Sequence, residues 1–181
     1  MNPCSIQWLP AQFLGQAAVD AQLRPWLIGS GLLTVRMSTL QSAGAFSLRL
    51  VDQWTGLLDA EQKAALKSSD NAALFRDVEL ILGQTVWVFA RTVIPDSTLC
   101  AHPWLAELGD SPLCETLHDL SGVERSAYQY AWLPAADAAS AHALRNAIRK
   151  PAGLWARRSR SALRAAPLLT LELFLPAAGR P

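Results

Sequence analysis

Two charged residues stand inside runs that otherwise look made for a protein interior. Arg76 lies in Leu74-Phe75-Arg76-Asp77-Val78-Glu79-Leu80-Ile81-Leu82, and Glu172 in Leu168-Leu169-Thr170-Leu171-Glu172-Leu173-Phe174-Leu175. Alternate residues of a strand face opposite ways. Arg76 therefore shares a side with Val78, Leu80 and Leu82, and Asp77 and Glu79 share the other. Glu172 shares a side with Leu168, Thr170 and Phe174, while its opposite side is Leu169, Leu171, Leu173 and Leu175. A carboxylate or guanidinium removed from water costs several kcal/mol, about 3 or more, unless a partner compensates. Two readings fit. The two groups pair with each other or with other side chains as a structural ion pair, or Glu172 reaches solvent from an edge strand. Alternatively they line a closed, mostly apolar cavity for a small aromatic acid, Arg76 holding its carboxylate and Glu172 a hydroxyl.

Leu113 is a third candidate. In Ser111-Pro112-Leu113-Cys114-Glu115, Ser111 suits an N-cap and Pro112 a first helical position, which leaves the Leu113 N–H without an acceptor in its own helix. Such an N–H attracts anions, although the Ser111 side chain or water satisfies it equally well. Other chemistries find less support. His102, His118 and His142 lack metal-ligand spacing, so no metal is expected. Gly29-Ser30-Gly31 lacks the spacing of a nucleophile elbow, and no G-x-G-x-x-G or P-loop pattern offers a nucleotide site. Arg157-Arg158-Ser159-Arg160 is the one dense basic cluster, and it reads as a solvated strand and turn, with no nucleic-acid partner expected.

The positioning elements are mostly strands. Residues 32–37 and 46–51 read as a hairpin around the turn composition Gln41-Ser42-Ala43-Gly44. A short helix follows from Asp59 to Ser68, with Asp59 as N-cap and Gln62 at the capping-box position. Residues 74–94 form a second hairpin turning at Gly83-Gln84, with Trp87 and Phe89 on its return strand. Residues 126–132 alternate as a half-buried strand, and a last hairpin joins 154–163 to 168–175 through Arg164-Ala165-Ala166-Pro167. The Ala-rich stretch 134–150 offers a helix capped by Asp137 and running to Ile148. Strands joined by turns to their sequence neighbours imply an antiparallel sheet of about six strands with helices packed on one face, an α+β class.

Composition agrees with one folded unit over residues 1–181. The chain is 51% hydrophobic and 17% charged, too apolar for disorder. Charged and polar residues interrupt every run long enough to span a bilayer, and no basic region precedes an apolar stretch at the N-terminus, so no membrane insertion and a cytoplasmic location are expected. Cys4, Cys100 and Cys114 form no CxxC pair, which argues against disulfides and structural metal. The net charge of +1 hides an asymmetry: eight basic and fourteen acidic residues precede residue 141, and eight basic residues and only Glu172 follow. Thirteen of the sixteen basic residues are arginine, whose fork matches carboxylates.

Several stretches together resemble the bacterial chorismate lyases. They are Phe75-Arg76-Asp77-Val78-Glu79-Leu80, Trp87-Val88-Phe89-Ala90-Arg91-Thr92-Val93-Ile94-Pro95, Leu108-Gly109-Asp110-Ser111-Pro112-Leu113, Gly153-Leu154-Trp155-Ala156-Arg157-Arg158-Ser159 and the segment 167–176 around Glu172. The resemblance spans about residues 26–176. It implies an antiparallel sheet, helices on one face and flaps over an internal ligand cavity, in a monomeric, cofactor-free cytoplasmic enzyme of ubiquinone biosynthesis that splits chorismate into 4-hydroxybenzoate and pyruvate. It also implies that Arg76 binds the ring carboxylate, that Glu172 contacts the ring hydroxyl, and that the backbone N–H groups of Leu33 and Leu113 complete the site. Ala90-Arg91 falls where flap contacts are expected. The insert 134–150 departs from the family pattern. Two alternatives share the fold. An effector-binding domain of a transcription regulator normally follows a winged helix, for which the roughly thirty residues before the first expected strand are too few. A related chorismate-processing enzyme yields an isomeric hydroxybenzoate instead.

Overall fold

The computed structural model describes residues 6–16, 19–40, 44–148 and 150–180. Cys4 and most of the expected turn at 41–44 lie outside the described residues. In chain order the first elements are β1 (Leu9–Pro10), α1 (Arg24–Ile28), α2 (Leu33–Ser38), β2 (Phe46–Leu57), α3 (Ala60–Leu66), β3 (Ala72–Leu82) and β4 (Thr85–Pro95). They are followed by α4 (Asp96–Ala101), α5 (Leu113–Asp119), β5 (Val123–Arg125), β6 (Gln129–Pro134), α6 (Ala138–Ala143), β7 (Gly153–Leu163) and β8 (Ala166–Phe174).

Two long hairpins make the middle of one antiparallel sheet. β3 and β4 turn at Gly83, whose φ of 60° suits a residue without a Cβ. β7 and β8 turn on Arg164 and Ala165, both left-handed with φ of 49° and 72°, the backbone of a tight two-residue connection. The strand order is β1-β6-β7-β8-β4-β3-β2, with β5 also pairing β7 beyond the end of β6. The α+β class and the antiparallel sheet are as expected, but the sheet has eight strands where about six were anticipated. The short β1 and β5 carry too few residues to show a period in the sequence.

The expected hairpin over residues 32–37 is not formed: this stretch is the helix α2. Leu33, Thr34 and Met37 are buried and Val35 is 48% exposed. That burial follows the i, i+1, i+4 spacing of a helix face rather than strand alternation, which would have buried Val35 with Leu33. A run of six residues, five of them apolar or β-branched, suits either state, and docking decides it. α3 forms as expected: the Asp59 carboxylate accepts from Gln62 N at 2.7 Å and the Gln62 side chain accepts from Asp59 N at 3.1 Å, closing a capping box. α6 is capped by Asp137, which accepts from Ala139 N at 2.9 Å, but it ends at Ala143, well short of Ile148. Leu144, just past its end, is the last fully buried side chain of the segment and Ile148 is exposed, so the residues after Leu144 offer little apolar surface to hold further turns on the sheet.

Helices cover both faces of the sheet, a correction to the one-face expectation. Strand parity separates the faces, because Arg76, Val78 and Leu80 on β3 stand over the same side as Ala90, Thr92, Thr170 and Glu172. On this side Leu27 of α1, Leu33 and Met37 of α2, and Leu113 and Leu117 of α5 pack against the sheet. On the opposite side Leu66 of α3 packs with Phe75, Val93 and Leu169, and Ala139 and Ala143 of α6 pack with Phe89 and Leu173. A bulge between Leu80 and Ile81 inserts Trp87 as an extra residue of β4. Trp87 meets Trp26 edge-to-face at 5.4 Å. No helix of the described residues is long and apolar enough to cross a membrane.

Strand alternation also splits the basic cluster, which is not a solvated turn. Arg157 is fully buried on the Arg76 side, whereas Arg158, 8% exposed, points to the other side and pairs with Glu61 of α3. Arg160 donates to the Leu66 carbonyl at the end of α3 at 2.8 Å. These arginines fasten helices to the sheet.

Candidate active site

Between β3, β4 and β8 below and α2 and α5 above lies a narrow cavity of about 40 Å³, room for a few water molecules. Arg76 and Glu172 both line it. They do not pair with each other. The register places Arg76 opposite Thr92 and Thr92 opposite Thr170, while Ala90 stands opposite Glu172. Two strand spacings and two residues along the strand put the two Cα atoms roughly 12 Å apart. The floor between them is made of Ala90, Thr92 and Thr170, whose short side chains leave the space open.

Arg76, only 1% exposed, donates from Nη2 to the carbonyls of Gly109 at 2.7 Å and Ser111 at 3.0 Å. Its Nε is buried with no acceptor among the described residues. Burial pulls its pKa below the usual arginine range and the nearby Asp110 and Cys114 oppose that; an arginine remains charged throughout. Two protein carbonyls thus orient one edge of the guanidinium and leave donor capacity for an anion in the cavity.

Glu172 faces its cross-strand neighbour Arg157 and forms a short ion pair with Arg157 Nε. Arg157 also donates from Nη1 to the Leu27 carbonyl at 3.1 Å and the Trp26 carbonyl at 3.3 Å in α1, and its guanidinium lies 4.3 Å from the Tyr128 ring centre. Burial disfavours the Arg157 charge, but Glu172 and Tyr128 outweigh it and hold the group above its ordinary range. The pair leaves Glu172 Oε1 without a protein hydrogen bond among the described residues, so this carboxylate has capacity for a ligand hydroxyl.

The cover comes from two short helices. Leu33 and Leu113 are the first residues of α2 and α5, and no side chain caps either helix, so neither N–H has an acceptor in its own helix. Pro112, not Ser111, is the N-cap of α5. Leu113 lines the cavity; on α2 it is Thr34 that lines it, while Leu33 is buried at the helix start. Thr34 Oγ1 meets Cys114 Sγ at 3.5 Å across the seam of the two helices. Arg91, expected at the flap contacts, instead points to the far side of the sheet. There it holds the fully buried Asp77 with bonds of 2.8 and 2.7 Å. His142 of α6 lies 3.1 Å from the same carboxylate, and Arg145 reaches Glu79 at 2.7 Å, so the insert 134–150 docks by charge onto that face.

Sequence reasoning singled out Arg76, Glu172, Leu113 and Leu33 and missed Arg157, Thr34 and Arg125, all of which bear on the cavity. Arg157 was within reach: a two-residue turn at Arg164-Ala165 dictates that Glu172 faces it. Thr34 and Arg125 had no comparable signal, because only tertiary docking brings their elements to the site.

Fold and site together define an α+β protein that carries a small, cationic cavity on one face of a single antiparallel sheet. Among solved structures it is similar to the C-terminal domain of the histidine utilization repressor from Pseudomonas syringae, with a TM-score of 0.58 at 10% identity over 75% of this chain and 95% of that one. It is also similar to PhnF from Mycobacterium smegmatis, with a TM-score of 0.58 at 16% identity over 82% of this chain and 65% of that one. At such identities the likeness shows the fold alone. Sequence is more specific. The chorismate lyase family model matches residues 3–178. A Vibrio vulnificus protein described as a probable chorismate pyruvate-lyase is 37% identical over 83% of this chain and 76% of its own length. A chorismate pyruvate-lyase of Salmonella arizonae is 32% identical over 88% of this chain and 86% of its own. The chain belongs to the chorismate lyase family.

Proposed function

We propose that this protein is a chorismate lyase, which eliminates pyruvate from chorismate to give 4-hydroxybenzoate, the first committed step of ubiquinone biosynthesis. The observation that carries this reading is that Arg76 and Glu172 face one cavity without pairing to each other. On this reading Arg76 binds the ring carboxylate, with the N–H groups of Leu33 and Leu113 nearby, and Glu172, held by Arg157, accepts a hydrogen bond from the ring hydroxyl.

In the elimination, the C4 hydrogen leaves as a proton, the C3–oxygen bond breaks, and its electron pair departs with the enolpyruvyl oxygen. The pyruvate enolate so released then takes up a proton at carbon, which balances the one lost from C4. The ring becomes aromatic, so the protein needs to orient the substrate and preorganise its charges rather than supply a strong reagent. No cofactor enters these steps. The cavity of about 40 Å³ is smaller than the roughly 150 Å³ that holds a benzene ring. Entry of the substrate therefore requires α2 and α5 to move outward, and closure over it excludes water. The family resemblance further supports a cytoplasmic monomer.

Incubating the purified protein with chorismate and separating the products by chromatography tests this reading. Equimolar 4-hydroxybenzoate and pyruvate are expected. An isomeric hydroxybenzoate would reassign the reaction, and absence of any product would remove the enzyme reading.

A further inference from the structure

Arg125 of β5 borders the cavity from the side opposite Arg76 and also lines an adjoining outer recess of about 160 Å³ next to Cys114 and His118. Arg125 is an exposed residue, and two contacts direct its side chain. Nε donates to Ser159 Oγ at 3.1 Å, and the guanidinium lies 5.2 Å from the Tyr128 ring centre. Its two terminal nitrogens have neither a hydrogen-bond acceptor nor a carboxylate partner among the described residues. The cavity's other guanidiniums differ, since Arg76 is tied to two carbonyls and Arg157 to Glu172.

The sheet register lines these groups up. Arg76 stands opposite Thr92, Thr92 opposite Thr170, and Thr170 opposite Ser159, the residue that receives Arg125 Nε. Arg76 thus begins a cross-strand row of three hydroxyls whose far member, Ser159, accepts from Arg125; Arg125 itself stands opposite Ser161, two residues farther along β7, and Glu172 and Arg157 lie two residues along in the other direction. Of the charged side chains lining the cavity, Arg76, Arg125 and Glu172, the carboxylate is offset by Arg157 behind it, so Arg76 and Arg125 are the two cations that face a ligand with two negative groups.

We propose that Arg125 is a substrate-binding residue that takes the second carboxylate of a dianionic ligand, the carboxylate of the enolpyruvyl group, while Arg76 takes the first. This inference rests on the chorismate lyase reading. A planar fork with both terminal nitrogens free is suited to two-point binding of a carboxylate. The aromatic product has one carboxylate only, so Arg125 separates substrate from product. Its hold is lost when the enolpyruvyl carboxylate departs with pyruvate, and binding energy is spent on the species to be converted.

The test compares Arg125→Gln with the unaltered protein, using chorismate turnover and titration of tryptophan fluorescence with 4-hydroxybenzoate. KM for chorismate should rise by about 10-fold or more, while the affinity for 4-hydroxybenzoate changes by less than about 3-fold. Arg125→Lys keeps the charge without the fork, and should give an intermediate KM with unchanged product affinity. An unchanged KM in Arg125→Gln, or a parallel loss of product affinity, overturns the role. If Arg125→Gln does not fold, Arg125→Lys is read by the same two quantities, and an unchanged KM there overturns the proposal. Failure of the unaltered protein to convert chorismate overturns the underlying reading as well, and so is distinguishable from failure of the Arg125 role alone.

Discussion

Glu172 is ion-paired with Arg157, its cross-strand neighbour, and not with Arg76, although all three lie on the same side of the sheet. The carboxylate's burial is thereby compensated by a residue that belongs to the scaffold, and Arg76 keeps its free donors for the cavity. Breaking such a buried pair strands one charge, at a cost of about 3–5 kcal/mol. Arg157→Met should accordingly lower unfolding stability by that amount in urea, and adding Glu172→Gln to it should restore part of the loss. Independent, additive losses from the two substitutions would contradict this coupling.

Arg76 has a structural task besides its proposed binding role, because its Nη2 anchors the loop carbonyls of Gly109 and Ser111. Arg76→Gln should reduce kcat/KM for chorismate by about 100-fold or more. It should also destabilise the protein by about 1–3 kcal/mol by leaving those carbonyls unsatisfied. Steady-state kinetics and a thermal melt measure the two effects separately. Near-normal kcat/KM would remove Arg76 from the site.

Ala90 lies on the floor between the row containing Arg76 and the side chain of Glu172. Ala90→Val places two methyl groups where a ring would sit. Binding of 4-hydroxybenzoate should weaken by about 10-fold or more through steric exclusion, at a stability change within about 1–3 kcal/mol. A fluorescence titration that gives the same affinity for both proteins would show that the ligand does not occupy this space.

The β7–β8 turn places Ala165 at φ 72°, a left-handed conformation that costs a residue with a Cβ about 1–2 kcal/mol. Glycine relieves this but gains about 0.5–1 kcal/mol of freedom in the unfolded chain. Ala165→Gly should therefore stabilise the fold by about 0.5–1 kcal/mol and raise Tm by about 1–3 °C. Calorimetry showing a lowered Tm would mean that the turn is not strained.

Burial pushes the Tyr128 hydroxyl above its ordinary value, and Glu172 adds to the effect. As pH rises past about 10, the unfolded chain releases this proton before the native protein does. The native state then holds more protons than the unfolded one, so stability contributed by Tyr128 is complete below about pH 10 and declines above it. Thermal melts from about pH 9 to 11 should show a shallower decline in Tyr128→Phe than in the unaltered protein. Identical slopes would remove this contribution.

The sequence by itself determined the features that arise from near neighbours. Alternation put Arg76 and Glu172 on apolar faces, the Asp59 and Gln62 side chains closed the α3 cap, and glycine placed the Gly83 turn, because each depends on backbone geometry within a few residues. The tertiary structure decided what depends on distant segments meeting. Residues 32–37 became a helix because Leu33 and Met37 had a sheet face to cover, and β-branched residues do not oppose that strongly. Arg157 reached the Trp26 and Leu27 carbonyls only when α1 docked, and Asp77, already opposite Arg91 across the β3–β4 hairpin, gained His142 only when α6 docked. Removing a charge from water is a local cost visible in the chain; the partner that offsets it is chosen by the fold.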